Sequence, residues 1–575
     1  MINNKENKLY KIFLESWHPF FWISLIILFI YGATLFFNIV YLDDNVLVTG
    51  QYEFNKSLSN ISQAFKEDIF RTPQDGGTFY RPILRLTFMF DAQFGEGAII
   101  FMSHFSNMLL HIMAMLLLFI LLLKLKIKKE IAFLFTLFFS VHPLTAQTVA
   151  FISGRNDALL AIFVFPTLIF FINFLESKKK KDLIWHLLFF SLALFTKETA
   201  IILPIICTVY ILIFENWKKI LENYKTYLIM ISGWVSVSSI WFLARISVLH
   251  NPIGNASYNI FSSIYNNMPV LIPTIGKIFL PFNLSVFPVL VDMSMIYGII
   301  SLILLTIWFI LSENKNLKLI SFGFLWFIIF ILLTLIKPLG TIPEFSENRI
   351  YIPMLGFIFI ILGLGNIKLP IFLKKKINYE INYKKIALFI SILIILIFSS
   401  VTIYRNQYYK NKFNFWKNAT ETSPSFAFNH NNLGAMYYLD KNIDNAEKEF
   451  LKALELNPKE PMTHNNLGLI YASKNKFIEA EEEYKKELEI NSNYDNAYFN
   501  LGLLYWQQKR YDDAKINWLK TLEINPNYID AYNALMTYNY EQKNYKEMEF
   551  YAIELYKRGV QIPTEIIQII QNQKI

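Results

Sequence analysis

The sequence holds a single cysteine, Cys207, set inside an apolar run. An intrachain disulfide framework is thereby excluded, and so is a cysteine-built zinc site. Charge is scarce. Asp, Glu, Lys and Arg make up 17% of the 575 residues, against about 25% in soluble domains. Hydrophobic residues make up 54% and mean hydropathy is +0.34, which excludes an ordinary soluble enzyme and a disordered chain. No Walker loop, dinucleotide glycine fingerprint or serine-hydrolase elbow is present, so those phosphate and acyl-enzyme chemistries have no carrier. The histidines are few and show no zinc spacing.

What is present divides in two near residue 405. The N-terminal part is basic and apolar; from 427 to 562 acidic residues outnumber basic ones. Apolar runs fall at roughly 20–40, 99–123, 131–150, 157–175, 183–196, 198–214, 226–247, 294–312, 318–336, 350–366 and 386–403. Read as helices, they give about eleven crossings. No small-residue cleavage site follows the first run, so it reads as an uncleaved signal anchor. Lysine clusters at 124–129, 178–181, 218–225, 315–318, 374–376 and 384–385 mark the cytoplasmic side by the positive-inside rule. The N-terminus is then inside, and the loops 41–98, 151–156, near 197, 248–293 and 337–349 face outward. The stretch 268–291, with several prolines and Lys277, is expected to be re-entrant or interfacial, its backbone covered by protein.

The C-terminal part repeats every 34 residues, from 427, 461, 495 and 529. Leu433, Leu467, Leu501 and Leu535 recur at that period, as do Gly434, Gly468 and Gly502, and Ala446, Ala480 and Ala514. This is the tetratricopeptide pattern. The fourth repeat has Met536 and Met548 at the glycine and alanine places and reads as a capping unit. The fold class is therefore all-α, a polytopic membrane bundle followed by an α-solenoid. The expected divisions are 1–404 for the membrane domain, 405–426 for a bridge or degenerate half-repeat with Trp416, 427–562 for four repeats, and 563–575 for a capping helix. The concave face of such an array suits a peptide. Asn431, Asn432, Asn465, Asn466 and Asn500 lie on first helices, where their amides could bond a ligand backbone.

Polar residues are expensive at a bilayer and so mark function or helix pairing. Asp43 and Asp44 follow the first run directly. A carboxylate there can take the proton of a hydroxyl as its oxygen attacks. Arg81 and Arg85 in the outer loop suit a lipid phosphate. His104, Asn107 and His111 form one stripe on the second run. His142, Arg155 with Asp157, Lys197 with Glu198, and Glu347 with Arg349 all fall at outer ends of runs. Each is individually explained by a local salt bridge or helix–helix bond. Together they predict one outer-face cavity, with acids to activate a hydroxyl and cations to hold a phosphate.

The motifs "YLDDNVLV", "YRPILRLTF", "HFSNMLLH", "HPLTAQTVAFISGRND", "TKETA", "LPFNLSV" and "ENRIYIPMLGF", followed by repeats, resemble the TMTC-type protein O-mannosyltransferases and their bacterial relatives, within the GT-C glycosyltransferases. Asn45 stands where that family often has a third acid, and Phe287 and Pro288 replace its usual aromatic context. The resemblance implies inverting transfer of a hexose, mannose by the family's name, from a polyprenyl-phosphate sugar to Ser or Thr hydroxyls of extracytoplasmic proteins. It implies Asp43 or Asp44 as base, with Asp44 ahead. Arg155, Lys197, Arg349 and Arg81 would hold the phosphate. His104, Asn107, His111, His142, Asp157, Glu198 and Glu347 would shape the pocket. No metal and no cofactor are expected, the lipid-linked sugar being a substrate. Partners would be that lipid, acceptor proteins through the repeats, and membrane lipids, with no nucleic acid. Richness in Ile, Asn, Lys and Phe suggests an AT-rich genome, hence a bacterial inner membrane with periplasmic repeats. The alternatives are a non-catalytic anchored scaffold for envelope assembly, or a carrier of lipid-linked sugar.

Overall fold

The computed structural model describes residues 10–71, 79–249, 259–337, 343–365 and 383–572. The lysine cluster at 374–376 and the end of the expected capping helix, 573–575, lie outside the described residues. The chain forms two compact units, Met1–Ser423 and Pro424–Ile575. Both are helical, and an isolated strand-like bridge pairs Val289 with Glu344.

In the first unit, six described helices are long and apolar enough to cross a bilayer: His18–Phe36, Glu96–Lys124, Ile152–Ser177, Tyr224–Val248, Leu317–Leu335 and Ile386–Tyr409. A seventh candidate is the pair Lys129–Ser140 and Pro143–Ala150, bent by 52° where Pro143 has no N–H to continue the ladder. Each of the eleven apolar runs does hold a helix. Lys180–Thr196, Leu203–Phe214, Ile296–Leu311 and Leu355–Gly363, however, have 17, 12, 16 and 9 residues, short of the about 20 a straight crossing takes. Helical runs and full-length spans are thus different counts here, and six or seven satisfies the length criterion.

The stretch 268–291 contains one nine-residue helix, Leu271–Phe279, about 14 Å long, which is too short to span. It lies in backbone contact with Ile296–Leu311: a Cβ on Gly276 would sit 2.5 Å from Gly298 N, and one on Gly298 2.0 Å from Ile272 O. Only paired glycines allow that approach. Beyond the helix the backbone is irregular yet bonded. Val286 N–H donates to Asn418 Oδ1 at 3.2 Å, Ser285 N–H to Glu347 Oε1 at 3.2 Å, and Phe345 N–H to Pro288 O at 2.9 Å. Protein groups thus satisfy part of this irregular backbone. The helix Lys412–Thr422, inside the expected bridge 405–426, packs within the first unit. Its Trp416 is fully buried and donates to Val40 O at 2.9 Å.

The second unit is four helix pairs: 427–439 with 443–456, 463–473 with 477–490, 495–507 with 511–524, and 529–541 with 545–557. Thr564–Asn572 follows. Each intra-repeat turn places one residue in the left-handed region: Lys441, Asn475, Lys509 and Lys543, all near φ +60. The next residue's N–H reaches back five positions, as in Asn442 N–H to Tyr437 O at 2.9 Å, which closes the first helix as a Schellman turn.

The repeated glycines face repeated aromatics. A Cβ on Gly434, Gly468 or Gly502 would lie 2.7, 2.6 or 2.4 Å from the buried ring of Phe450, Tyr484 or Trp518. In the fourth repeat the same two places hold Met536 and Ala552, a large residue for the glycine and a small one for the aromatic, so volume is conserved. Gly468→Ala is accordingly expected to overpack this contact and lower array stability by about 1–3 kcal/mol. Thermal unfolding of the full chain should show it as an earlier loss of the solenoid's helical signal.

Candidate functional site

The two aspartates, adjacent in sequence, have different surroundings. The chain leaves its first span in extended conformation and turns at Asp44 into the short wide helix Asn45–Gly50. Asp44 is buried, and its carboxylate accepts N–H bonds from Val40 at 2.7 Å, Leu42 at 3.3 Å and Asn45 at 3.0 Å. Burial pushes its pKa up to about 6 against the pull of those bonds. Asp43 is half-buried and makes no side-chain hydrogen bond among the described residues. Burial raises its pKa too, with Glu344 adding to the rise and Arg81 opposing it.

Four ion pairs, built on three carboxylates, share a cluster with Asp43. Arg81, at the start of helix Pro82–Ala92, binds Glu198 through Nε at 3.0 Å and a terminal nitrogen at 2.6 Å, with Cζ 4.3 Å from the Phe79 ring centroid. Asp43, Asp157 and Glu198 all act on the Arg81 charge. Lys197 donates to Asp157 Oδ1 at 2.7 Å, and Asn348 Nδ2 to the other oxygen at 2.8 Å. Glu344 accepts from Arg349 at 2.6 Å, Lys337 at 3.3 Å and the Ser346 hydroxyl at 2.6 Å. Burial would raise the Glu344 carboxyl, but Arg349 and Lys337 outweigh it and hold it near 2. Burial, then Arg349, brings Lys337 down to about 8. Residues from the loop at 41–44 and from near 81, 157, 197 and 344–349 thus form one electrostatic cluster. Its cations are already oriented by carboxylates, and Asp43 stands in it unbonded.

Other expected site residues lie elsewhere. Arg155 is fully buried and committed to Asn107 Oδ1 at 2.7 Å, Thr87 at 3.2 Å, Asp91 at 2.7 Å and Ser103 O at 2.8 Å, with Phe88 against its face. Four of its five N–H donors are taken, so it is a buried tie rather than a phosphate ligand. Asn107 donates to the carbonyls of Val149, Phe151 and Ile152, closing the break between two helices. His111 bridges the Tyr351 hydroxyl at 2.7 Å and Ser140 O at 3.1 Å. His142 donates to Ile278 O at 2.8 Å and accepts from Leu144 N–H at 3.2 Å. His104 is buried near Phe37. Asn107, His111 and His142 hold helices together. Glu347 likewise faces inward, bridging Lys277 at 2.6 Å and Arg405. Arg85 ties helix Pro82–Ala92 to the carbonyls of Asp68 and Ile69.

Sequence reading missed Glu344, Lys337 and Asp91 as partners, and Lys277 and Arg405 as a pair. Lys277, a charge inside an apolar run, and Arg405, a charge at the end of one, were the available signals. Among the described residues no three His, Cys, Asp or Glu side chains gather as a metal cage would. In the second unit, Asn466 donates to Asn431 Oδ1 at 3.0 Å, Asn500 to Asn465 Oδ1 at 2.8 Å, and Asn432 to Phe428 O at 2.8 Å. Asn431 and Asn465 are buried as acceptors; Asn432, Asn466 and Asn500 remain half-exposed.

Residues 92–242 match the model of the dolichyl-phosphate-mannose-protein mannosyltransferase family. The match likens this segment to a membrane mannosyltransferase. Tetratricopeptide-repeat models match 427–460, 449–482, 468–509 and 496–528. A match of this kind followed by tetratricopeptide repeats is similar to the TMTC-like architecture. The GT-C match begins just after Asp91, the partner of Arg155, and includes Asp157, Lys197 and Glu198 of the cluster. No curated protein matches the chain. Among solved structures, one of PilF from Pseudomonas aeruginosa shares 23% identity over 26% of this chain and 67% of its own, with TM-score 0.24. One of MamA from Desulfovibrio magneticus RS-1 shares 15% identity over 28% of this chain and 86% of its own, with TM-score 0.22.

Proposed function

We propose that the protein moves a hexose, mannose by its family likeness, from a polyprenyl-phosphate donor to Ser or Thr hydroxyls of extracytoplasmic proteins, at the outer face of a bacterial inner membrane. Asp43 is the base. It accepts the hydroxyl proton while that oxygen bonds to the anomeric carbon and the bond from that carbon to the phosphate oxygen breaks. The products are the glycosylated hydroxyl, with inverted anomeric configuration, and the lipid phosphate; the proton passes from Asp43 to water. A raised pKa suits a base that must hold the proton briefly. Arg81, Lys197 and Arg349 stabilise the departing phosphate, and their carboxylate partners fix them beforehand, so little reorganisation is needed at the moment of transfer. No metal or cofactor enters the scheme. The repeats hold acceptor segments, with the half-exposed asparagines bonding peptide backbone.

The observation that carries this reading is a single unbonded carboxylate inside a cluster of pre-paired cations. The test is transfer by the purified full-length protein in nanodiscs, supplied with polyprenyl-phosphate mannose and envelope proteins. A gain of one hexose on the acceptor, read by intact mass, is expected. Absence of transfer from any polyprenyl-phosphate sugar would overturn the reading.

A further inference from the structure

The other cations around Asp43 each have a carboxylate partner: Arg81 has Glu198, Lys197 has Asp157, and Lys337 and Arg349 share Glu344. Arg245 is different. It occupies the last turn of the span Tyr224–Val248, and the charges acting on it are Glu198 and Arg81, which places it at the rim of the same cluster. Yet it makes no ion pair or hydrogen bond among the described residues, and one terminal nitrogen is buried without an acceptor.

A second orphan lies one turn earlier. Trp241 is buried at 6% exposure, and its Nε1–H also lacks an acceptor. Arg245 Cζ is 5.7 Å from the Trp241 ring centroid, and the i, i+4 spacing puts both on one helix face. An arginine that only snorkels to headgroups keeps its guanidinium in water. This one holds an N–H inward, beside a second unpaired N–H. Two buried donors with no acceptor call for an acceptor from outside the chain, because leaving them unpaired is costly. A full positive charge with a neutral N–H at the bilayer rim suits an anionic oxygen group on a lipid.

We infer that Trp241 and Arg245 form a binding site for the phosphate of the polyprenyl-phosphate donor. The inference rests on the proposed transferase reading and adds to it the cation that no carboxylate neutralises. Arg81, Lys197 and Arg349 arrive with their charges largely balanced. Arg245 brings an unbalanced one, which favours an anionic donor over a neutral lipid and steadies the phosphate after the sugar has left.

The test measures binding of undecaprenyl phosphate to the full-length protein in nanodiscs by native mass spectrometry. Undecaprenol serves as the uncharged control and phosphatidylglycerol as the bulk anionic lipid. Arg245→Gln is expected to weaken undecaprenyl phosphate binding by about tenfold to a hundredfold, and Trp241→Phe by about threefold to tenfold. Undecaprenol and phosphatidylglycerol binding should be unchanged, and Arg245→Lys should recover part of the loss. Trp241→Phe keeps the ring and Arg245→Lys the charge, so the test stands even where Arg245→Gln fails to fold. Unchanged undecaprenyl phosphate affinity in the folded variants would overturn the inference alone. An equal loss for phosphatidylglycerol would reassign the site to bulk headgroups and overturn it as well. Failure of the unmodified protein to bind undecaprenyl phosphate would overturn the donor reading and this inference together.

Discussion

Asp43→Asn is expected to leave the protein folded while cutting sugar transfer by about two to four orders of magnitude, the usual worth of a general base. The side chain makes no hydrogen bond among the described residues, so the amide displaces nothing. Loss of the half-buried charge relieves its desolvation and its repulsion from Glu344, which offsets the lost attraction to Arg81. Asp44→Asn should behave in the opposite way. Its carboxylate accepts three backbone N–H groups, and an amide would turn a donor toward some of them. That change should lower the unfolding temperature and perturb the turn that presents Asp43, so any loss of activity would come with a loss of stability. Initial rates and thermal unfolding of both variants separate the two. Full activity in Asp43→Asn, with a selective rate loss in Asp44→Asn at unchanged stability, would reverse the assignment.

The order of preference between the two acids is where sequence and structure part. In the sequence they are neighbours of identical chemistry. What distinguishes them is the turn into Asn45–Gly50, which gathers N–H groups from Val40 to Asn45 around one side chain and leaves the other free. Arg155 shows the same dependence on distant partners. A guanidinium at the end of an apolar run looks like a phosphate ligand until Asp91, 64 positions away, is placed opposite it. Glu344 and Glu347 are three residues apart yet face different partners, because the short helical turn Glu347–Ile350 points one into the bundle and leaves the other toward the rim. Arg245 was invisible as a site residue because it ends an apolar span whose other residues face lipid or packing. By contrast, the repeating helix pairs of the solenoid were legible in the sequence. A stack in which every unit meets the next through the same surface must repeat its glycines, its aromatics and its turn residues. The clustering of Arg81, Asp157, Lys197 and Glu198 at one end of the bundle was legible too, since alternating lysine loops fix which run ends share a side. Pairing across hundreds of residues follows from three-dimensional packing, and no local pattern encodes it.

Glu347→Gln should destabilise the membrane unit more than either aspartate substitution. Glu347 is wholly buried and lies between Lys277 and Arg405, whose side chains are 7% and 3% exposed. It also accepts Ser285 N–H and so fastens the irregular stretch after Leu271–Phe279. With the carboxylate gone, two buried cations face each other with only an amide between them. Breaking a buried pair by removing one partner costs about 3–5 kcal/mol, and here two pairs lose the same partner. The variant is expected to accumulate poorly and to unfold well below the unmodified protein, with the packing of Leu271–Phe279 and Lys412–Thr422 lost first. Because the cost comes from uncompensated charge rather than lost volume, Glu347→Leu combined with Lys277→Met and Arg405→Met should recover much of the stability. Fluorescence-detected thermal unfolding in detergent compares the single and triple variants directly. If Glu347→Gln unfolds at the temperature of the unmodified protein, the three charges are solvated in the bilayer and do not form a buried lock. If the triple variant is no better than the single one, the loss lies in the bond to Ser285 N–H rather than in the charges.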